Sequence, residues 1–280
     1  MSPSAGANMG VERVPLFYKV VANGVRIVLK VFFRLQVTGL ENVPRAGPCI
    51  LVANHASYFD PLVLGSVIRF RPVRFMARSN LFRHGGLGWF LRHSLVVPIH
   101  RDRGDVGALR QGVGLLNAGA ILGIFPEGTR TADGSLQKAK GGIGFLIARS
   151  GAPVVPVYIA GTYRAWPRHR RWPRLEPLSV HIGRQISPDE TASFGRDYAA
   201  IAERVMAAIA ALREDVDADD RHGGGSTSPR RGATRIAADM APTATSRAPE
   251  AGLHPCHRSP QQPRRPRPAE RPRASAIGAF

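Results

Sequence analysis

A chain of 280 residues with 44% hydrophobic side chains has room for one or two domains and a substantial buried core. Its formal net charge of +19 implies an anionic partner, and only two cysteines, Cys49 in an apolar run and Cys256 near the end, exclude a disulfide-framed scaffold and make a reducing compartment the expectation. Residues 221–280 hold 11 Arg, no Lys and 3 acids, a net +8 that leaves +11 to residues 1–220, so both parts are basic.

From Pro15 to Leu35 the sequence is strongly apolar and of helical length. Its cations Lys19, Arg26, Lys30 and Arg34 fall within a sector of roughly 80° on a helical projection. This pattern suits an interfacial helix, cations towards headgroups and apolar residues towards acyl chains; the competing reading is a helix packed on the protein's own core with its basic face in water. Spanning is disfavoured, because each central Lys or Arg opposes insertion by about 2.5–3.5 kcal/mol.

LQVT reads as a short strand, and CILVAN as a buried strand that delivers Asn54 and His55 to its C-terminal end. Asp60 and Pro61 then look like an N-cap followed by the first helical residue. Asp60 therefore has two compatible readings, helix cap and partner of His55. Further strands are expected at 73–77, 95–99, 120–125, 154–160 and 178–186, with helices at 87–94, 105–117, 140–149 and 196–213. Alternating strands and helices predict an α/β layered domain with a mostly parallel central sheet flanked by helices, preceded by the amphipathic N-terminal membrane-surface helix. The expected divisions are 1–35 for the N-terminal segment, 36–215 for the layered domain, and 216–280 for a disordered Arg/Pro/Ala-rich tail that cannot bury enough surface to offset its chain entropy.

Ligands of such sheets bind beyond the carboxyl ends of the strands, where His55, Arg101 and the cluster Phe125, Pro126, Glu127, Gly128, Thr129, Arg130 all fall. A histidine oriented by a carboxylate is the core of many proton-transfer sites. The spacing His-x4-Asp is weak by itself, since chance supplies about 0.35 copies in this composition and a second copy, His100 with Asp105, occurs in a charge-alternating stretch. In FPEGTR, Arg130 offers a planar fork of donors for a phosphate, Gly128 lets the backbone approach, and Thr129 adds a hydroxyl. Glu127 has two candidate tasks, holding the arginine or accepting a substrate hydroxyl. The competing reading is a plain turn with a surface Arg–Glu pair. No metal-ligand set or RNA-binding signature is evident, and the basic residues of the ordered part do not sit beside exposed aromatics at base-stacking spacing.

NHASYFD (54–60) followed about seventy residues later by FPEGTR resembles two motifs of the glycerolipid acyltransferases of the 1-acylglycerol-3-phosphate acyltransferase (PlsC-like) family. VVPIHR, ending at Arg101, is similar to the family's motif of an apolar strand closed by arginine, and VVPVYIAGT around Pro156 to its apolar segment with a central proline. The resemblance covers roughly residues 34–190 and leaves the tail outside; Arg78 stands where the family often has Lys. It implies that His55 is the general base and Asp60 its partner. It also implies that Arg101 and the residues Phe125 to Arg130 bind substrate, with no metal and no cofactor. The implied substrates are a lysophospholipid acceptor, 1-acylglycerol-3-phosphate, and an acyl thioester donor carried by coenzyme A or acyl carrier protein. The implied product is phosphatidate, made at the cytoplasmic face of the cell membrane by a peripheral or monotopic enzyme on an anionic lipid surface. Two alternatives stay open: another lysolipid acceptor such as a lyso-ornithine lipid, and a non-catalytic protein that binds membranes or nucleic acid. Nucleic acid is not the expected partner. Ser57, two residues past His55, is expected in a turn and not as a nucleophile.

Overall fold

The computed structural model of the protein describes residues 14–99, 104–140 and 142–222. Seven strands form one sheet in the order β1 (Gln36–Thr38), β7 (Ser179–Ile182), β6 (Val154–Ala160), β2 (Cys49–Ala53), β5 (Ile121–Ile124), β3 (Val73–Arg78), β4 (Val97–Ile99). β6, β2, β5, β3 and β4 are mutually parallel, whereas β7 runs antiparallel to β6 and β1 runs parallel to β7. The expected layered sheet is present, and the last expected strand is shorter than 178–186, with Ile186 rejoining the sheet only through a single bridge to Val154.

Every side chain of β2 is buried, so this strand has no solvent face and reads as a continuous apolar run. Successive side chains alternate across the sheet. Cys49, Leu51 and Ala53 pack with α1 (Leu16–Phe33) and α2 (Asp60–Val67). Ile50 and Val52 pack with α4 (Gly104–Asn117), α5 (Gly142–Ser150) and α8 (Tyr198–His222). Helix α3 (Gly85–His93) and the short helices α6 (Thr162–Ala165) and α7 (Pro188–Ala192) complete the fold. Gly144 in α5 lies so close to α8 that a Cβ there would overlap the Tyr198 carbonyl, which makes glycine a packing requirement at this crossing.

Helix α8 continues past the expected end at Arg213, through the acidic stretch, to His222. Val216 is buried and Arg213 pairs with Asp217 one turn on at 3.5 Å, both of which favour helix beyond the expected end. Residues 223–280, and with them most of the expected tail, lie outside the described residues.

Helix α1 packs on the protein's own core and keeps an exposed apolar face besides. Tyr18, Ala22, Leu29 and Phe33 form one stripe buried on the core, while Leu16, Val20, Ile27 and Val31 are exposed on another face and Val28 and Phe32 are exposed to one side of it. Lys19 and Lys30 are exposed between these stripes, and no described helix is long and apolar enough to cross a membrane. A second exposed patch lies between α6 and β7, where Trp172 stands 74% exposed among Arg170, Arg171 and Arg174. This corrects the expectation that no exposed aromatic neighbours the basic residues: a loop tip carries no periodicity from which exposure can be read.

The Tyr18 hydroxyl donates to the Gly65 carbonyl at 3.2 Å and accepts from the Val73 amide at 3.0 Å, tying α1 to α2 and β3. Tyr18→Phe leaves both buried backbone groups short of a partner and is expected to destabilise the fold by about 1–3 kcal/mol. Urea unfolding of the chain measures this; an unchanged midpoint would show that water replaces the hydroxyl.

Candidate active site

β2 ends at Ala53 and releases the chain into a tight loop before α2. Asn54 anchors the strand end to β6, its side-chain carbonyl accepting the Ile159 N–H at 2.7 Å and its amide donating to the Ile159 carbonyl at 3.0 Å. His55 follows, with a side chain 14% exposed, and its Nδ1 lies 2.9 Å from Oδ2 of Asp60, a carboxylate with no exposure. The same Oδ2 accepts the backbone N–H groups of Ala56 at 2.6 Å and Ser57 at 2.7 Å. With Nδ1 donating to the carboxylate, the lone pair of Nε2 is left free to accept a proton.

The helix-cap reading of Asp60 is corrected by this geometry. Phe59 occupies the cap position, Asp60 is the first helical residue, and its carboxylate turns back into the preceding loop. Three donors behind it, the His55 ring and the Ala56 and Ser57 amides, take its Oδ2. Ser57 behaves as a turn residue, donating to the Trp166 carbonyl at 2.7 Å and accepting the Phe59 N–H at 3.1 Å.

Because β5 lies next to β2, the segment after β5 meets His55 directly. Glu127 Oε1 accepts the His55 N–H at 2.9 Å, and the His55 carbonyl accepts the Thr131 N–H at 2.9 Å. The Phe125 ring stacks on the imidazole with centroids 4.2 Å apart and planes 20° from parallel. Backbone and ring of the histidine are thus held by one neighbouring loop. Gly128 closes that loop at φ 65°, with its N–H on the Phe125 carbonyl at 3.0 Å, a conformation that favours glycine. Pro126 is buried and its carbonyl accepts the Lys140 N–H at 2.8 Å, while the Thr129 hydroxyl makes only a 3.4 Å contact to the Arg130 carbonyl.

The Arg130 guanidinium lies 3.6 Å above the centroid of the Tyr58 ring, and its buried Nη1 has no hydrogen-bond partner among the described residues. A cation fixed on an aromatic face with an unused donor is poised for an anion. The structure therefore brings together His55, Asp60, Phe125, Glu127 and, through Tyr58, Arg130. Arg101 and the rival His100 lie outside the described residues. Sequence reasoning missed Asn54 as a brace, and Tyr58 and Trp166 as ring supports. Tyr58 sits inside the His-x4-Asp spacing, where an aromatic beside a basic loop was the available signal; Trp166 is over a hundred residues away and gave none.

A family model described as Acyltransferase matches residues 34–160. Relatives include a chloroplastic 1-acyl-sn-glycerol-3-phosphate acyltransferase of Brassica napus, 35% identical over 49% of this chain and 40% of its own length. A 1-acyl-sn-glycerol-3-phosphate acyltransferase of Bacillus subtilis is 31% identical over 51% of this chain and 71% of its own length. The chain thus spans about two fifths of the chloroplastic relative and most of the bacterial one. The crystal structure of the 1-acyl-sn-glycerophosphate acyltransferase PlsC from Thermotoga maritima is similar with a TM-score of 0.60 and 28% identity, covering 72% of this chain and 80% of that one.

Glu127 is buried, and burial pushes its carboxyl up to about 7, against the pull of the His55 and Gln137 amides and with a smaller upward push from Asp60. Folding therefore tightens proton binding at this group, so its contribution to stability is full below the ordinary carboxyl range and lost as pH rises through about 7. Glu127→Gln keeps an acceptor for the His55 N–H and removes the titration. Between mildly acidic and mildly alkaline pH the wild type is expected to lose on the order of 2–3 kcal/mol that the variant retains. Urea midpoints measured for both across that range decide it; parallel curves would place the ionised carboxylate in a more solvated setting.

Proposed function

The chain belongs to the acyltransferase family, and from that premise we propose that it moves a fatty acyl group from an acyl thioester to the free hydroxyl of 1-acylglycerol-3-phosphate, giving phosphatidate. The observation that carries this reading is the 2.9 Å bond between His55 Nδ1 and the buried Asp60 carboxylate. It leaves Nε2 as a base beside a loop whose arginine has an unused donor.

In the proposed step the acceptor hydroxyl gives its proton to His55 Nε2 as its oxygen attacks the thioester carbonyl. The tetrahedral adduct collapses with loss of the thiolate, the imidazolium returns the proton to sulfur, and the products are an ester and a thiol. Asp60 holds the tautomer and stabilises the imidazolium. Phe125 and Glu127 keep the ring and backbone of His55 from rotating away. Arg130, joined by Arg101, holds the acceptor phosphate and so fixes where the hydroxyl lies, a proximity effect. Ser57 is committed to two structural hydrogen bonds, which supports direct transfer over an acyl-serine route. The reaction draws on no cofactor; the thioester arrives as a co-substrate on coenzyme A or acyl carrier protein. The exposed apolar face of α1 and its flanking lysines support a peripheral or monotopic position on an anionic lipid surface, at the cytoplasmic face where those donors are made.

His55→Ala is expected to lower turnover by roughly 10²–10⁴-fold with vesicle binding unchanged. Arg130→Ala is expected to raise KM for the phosphorylated acceptor by roughly 10-fold or more, the worth of one charged hydrogen bond. Both are read with a labelled acyl thioester against a panel of acceptors, 1-acylglycerol-3-phosphate, a lyso-ornithine lipid and other lysophospholipids. Full turnover by the histidine variant sinks the mechanism, and equal use of uncharged acceptors sinks the phosphate assignment.

A further inference from the structure

We propose that the loop from Arg168 to Leu175 is a second membrane-docking element, which engages anionic headgroups next to the active site. The inference rests on the acyl-transfer reading, in which the acceptor is drawn from a lipid surface. Between Trp166 and Leu175 the chain carries Arg168, His169, Arg170, Arg171 and Arg174 and no acid. The nearest carboxylate, Glu176, already pairs with Arg164 at 3.8 Å. Within this cationic run Trp172 is 74% and Leu175 69% exposed, as exposed as the outward residues of α1. Two large apolar side chains held in water among arginines are the composition of a membrane interface, where an indole sits at headgroup depth and cations meet phosphates.

The loop has a braced base. Trp166 Nε1 donates to the Arg170 carbonyl at 3.1 Å, Arg170 N–H to the Pro167 carbonyl at 3.1 Å, and Arg174 N–H to the Ala165 carbonyl at 2.8 Å. That base is keyed to the active site. Besides the Ser57 bond, the Trp166 ring lies 5.2 Å from Tyr58 and 5.1 Å from Phe59. Phe59 in turn meets Phe33 at the end of α1 at 5.1 Å, and the Leu178 N–H just past the loop bonds the Phe33 carbonyl at 2.9 Å.

The arginine-rich loop is therefore tied at its base to the His55 loop and to the C-terminal end of α1, where Val31 and Phe32 are exposed. A single apolar helix on a bilayer leaves the domain free to roll about the helix axis. A second attachment at the mouth of the site removes that freedom and turns the strand ends towards the lipid, with avidity from two weak contacts on one body. Arginines and an exposed indole also suit a single-stranded nucleic acid, and a basic surface suits an acidic carrier protein. Leu175 and the exposed apolar face of α1 favour a bilayer over both.

The test uses the full chain and vesicles of phosphatidylcholine and phosphatidylglycerol containing lipid brominated on its acyl chains. Trp89→Phe removes the other exposed indole; its emission is expected to be quenched by the brominated vesicles, and the quenching to disappear in Trp89→Phe/Trp172→Phe. Arg171→Gln/Arg174→Gln is expected to weaken vesicle partitioning by about 30-fold, roughly fivefold per cation at an anionic surface. Vesicle binding with Trp172 unquenched and partitioning unchanged in the arginine pair overturns the proposal and leaves α1 as the attachment. Protection of Trp172 by single-stranded DNA or by acyl carrier protein in preference to vesicles overturns it as well. Turnover of a short-chain, water-soluble acceptor by the wild type tests acyl transfer apart from docking: its absence with quenching intact would sink the acyl-transfer reading alone.

Discussion

One carboxylate oxygen organises the site. Oδ2 of Asp60 takes three donors, the imidazole Nδ1–H and two consecutive backbone amides, at 2.6–2.9 Å and at zero exposure. Charge-assisted hydrogen bonds contribute about 1.5–3 kcal/mol each, whereas burying a carboxylate costs several kcal/mol, so the two nearly cancel. The arrangement is thus a device for geometry more than for stability: it folds the loop from His55 to Ser57 around an anion and fixes which imidazole nitrogen faces outward.

Everything else around the histidine follows from strand order. β2 has β5 on one side and β6 on the other, so the loop after β5 grips His55 while β6 grips Asn54. Glu127 and Thr131 bond the two backbone groups of His55, and Phe125 stacks on its ring. A base held at its backbone, its ring face and its rear nitrogen has little freedom left to lose on reaching a transition state. Glu127 illustrates the division of labour within FPEGTR: one oxygen of its carboxyl holds the histidine backbone, and Arg130, stacked on Tyr58, has a donor to spare.

The elements were legible because buried parallel strands are short unbroken apolar runs and the helices between them keep a 3.6-residue period. β2, β6 and α1 lie within two residues of where pattern puts them. The pairing of His55 with Asp60 was legible as a spacing, and its strand-end position singled it out. What pattern did not carry was direction and partnership. The reversed direction of β7 and β1 and the use of Glu127 as a brace depend on contacts between separate segments, and the backward turn of the Asp60 carboxylate on a rotamer. The extension of the last helix past Arg213 was not legible for a related reason: it rests on one buried valine, Val216, and one ion pair, Arg213 with Asp217.

The three-sided character of α1 bears on how such a site meets a lipid. One stripe is consumed by the core, leaving six large apolar residues, Leu16, Val20, Ile27, Val28, Val31 and Phe32, exposed. Full burial of such side chains contributes about 1.5–3 kcal/mol each, and interfacial insertion recovers only part of it. In the proposed role this gives attachment that is firm but reversible, and its cations bias it towards anionic surfaces. A spanning helix would hold more tightly but would have to bury the same cations. In the proposed role the composition of α1 is therefore better matched to lying along the surface than to spanning it.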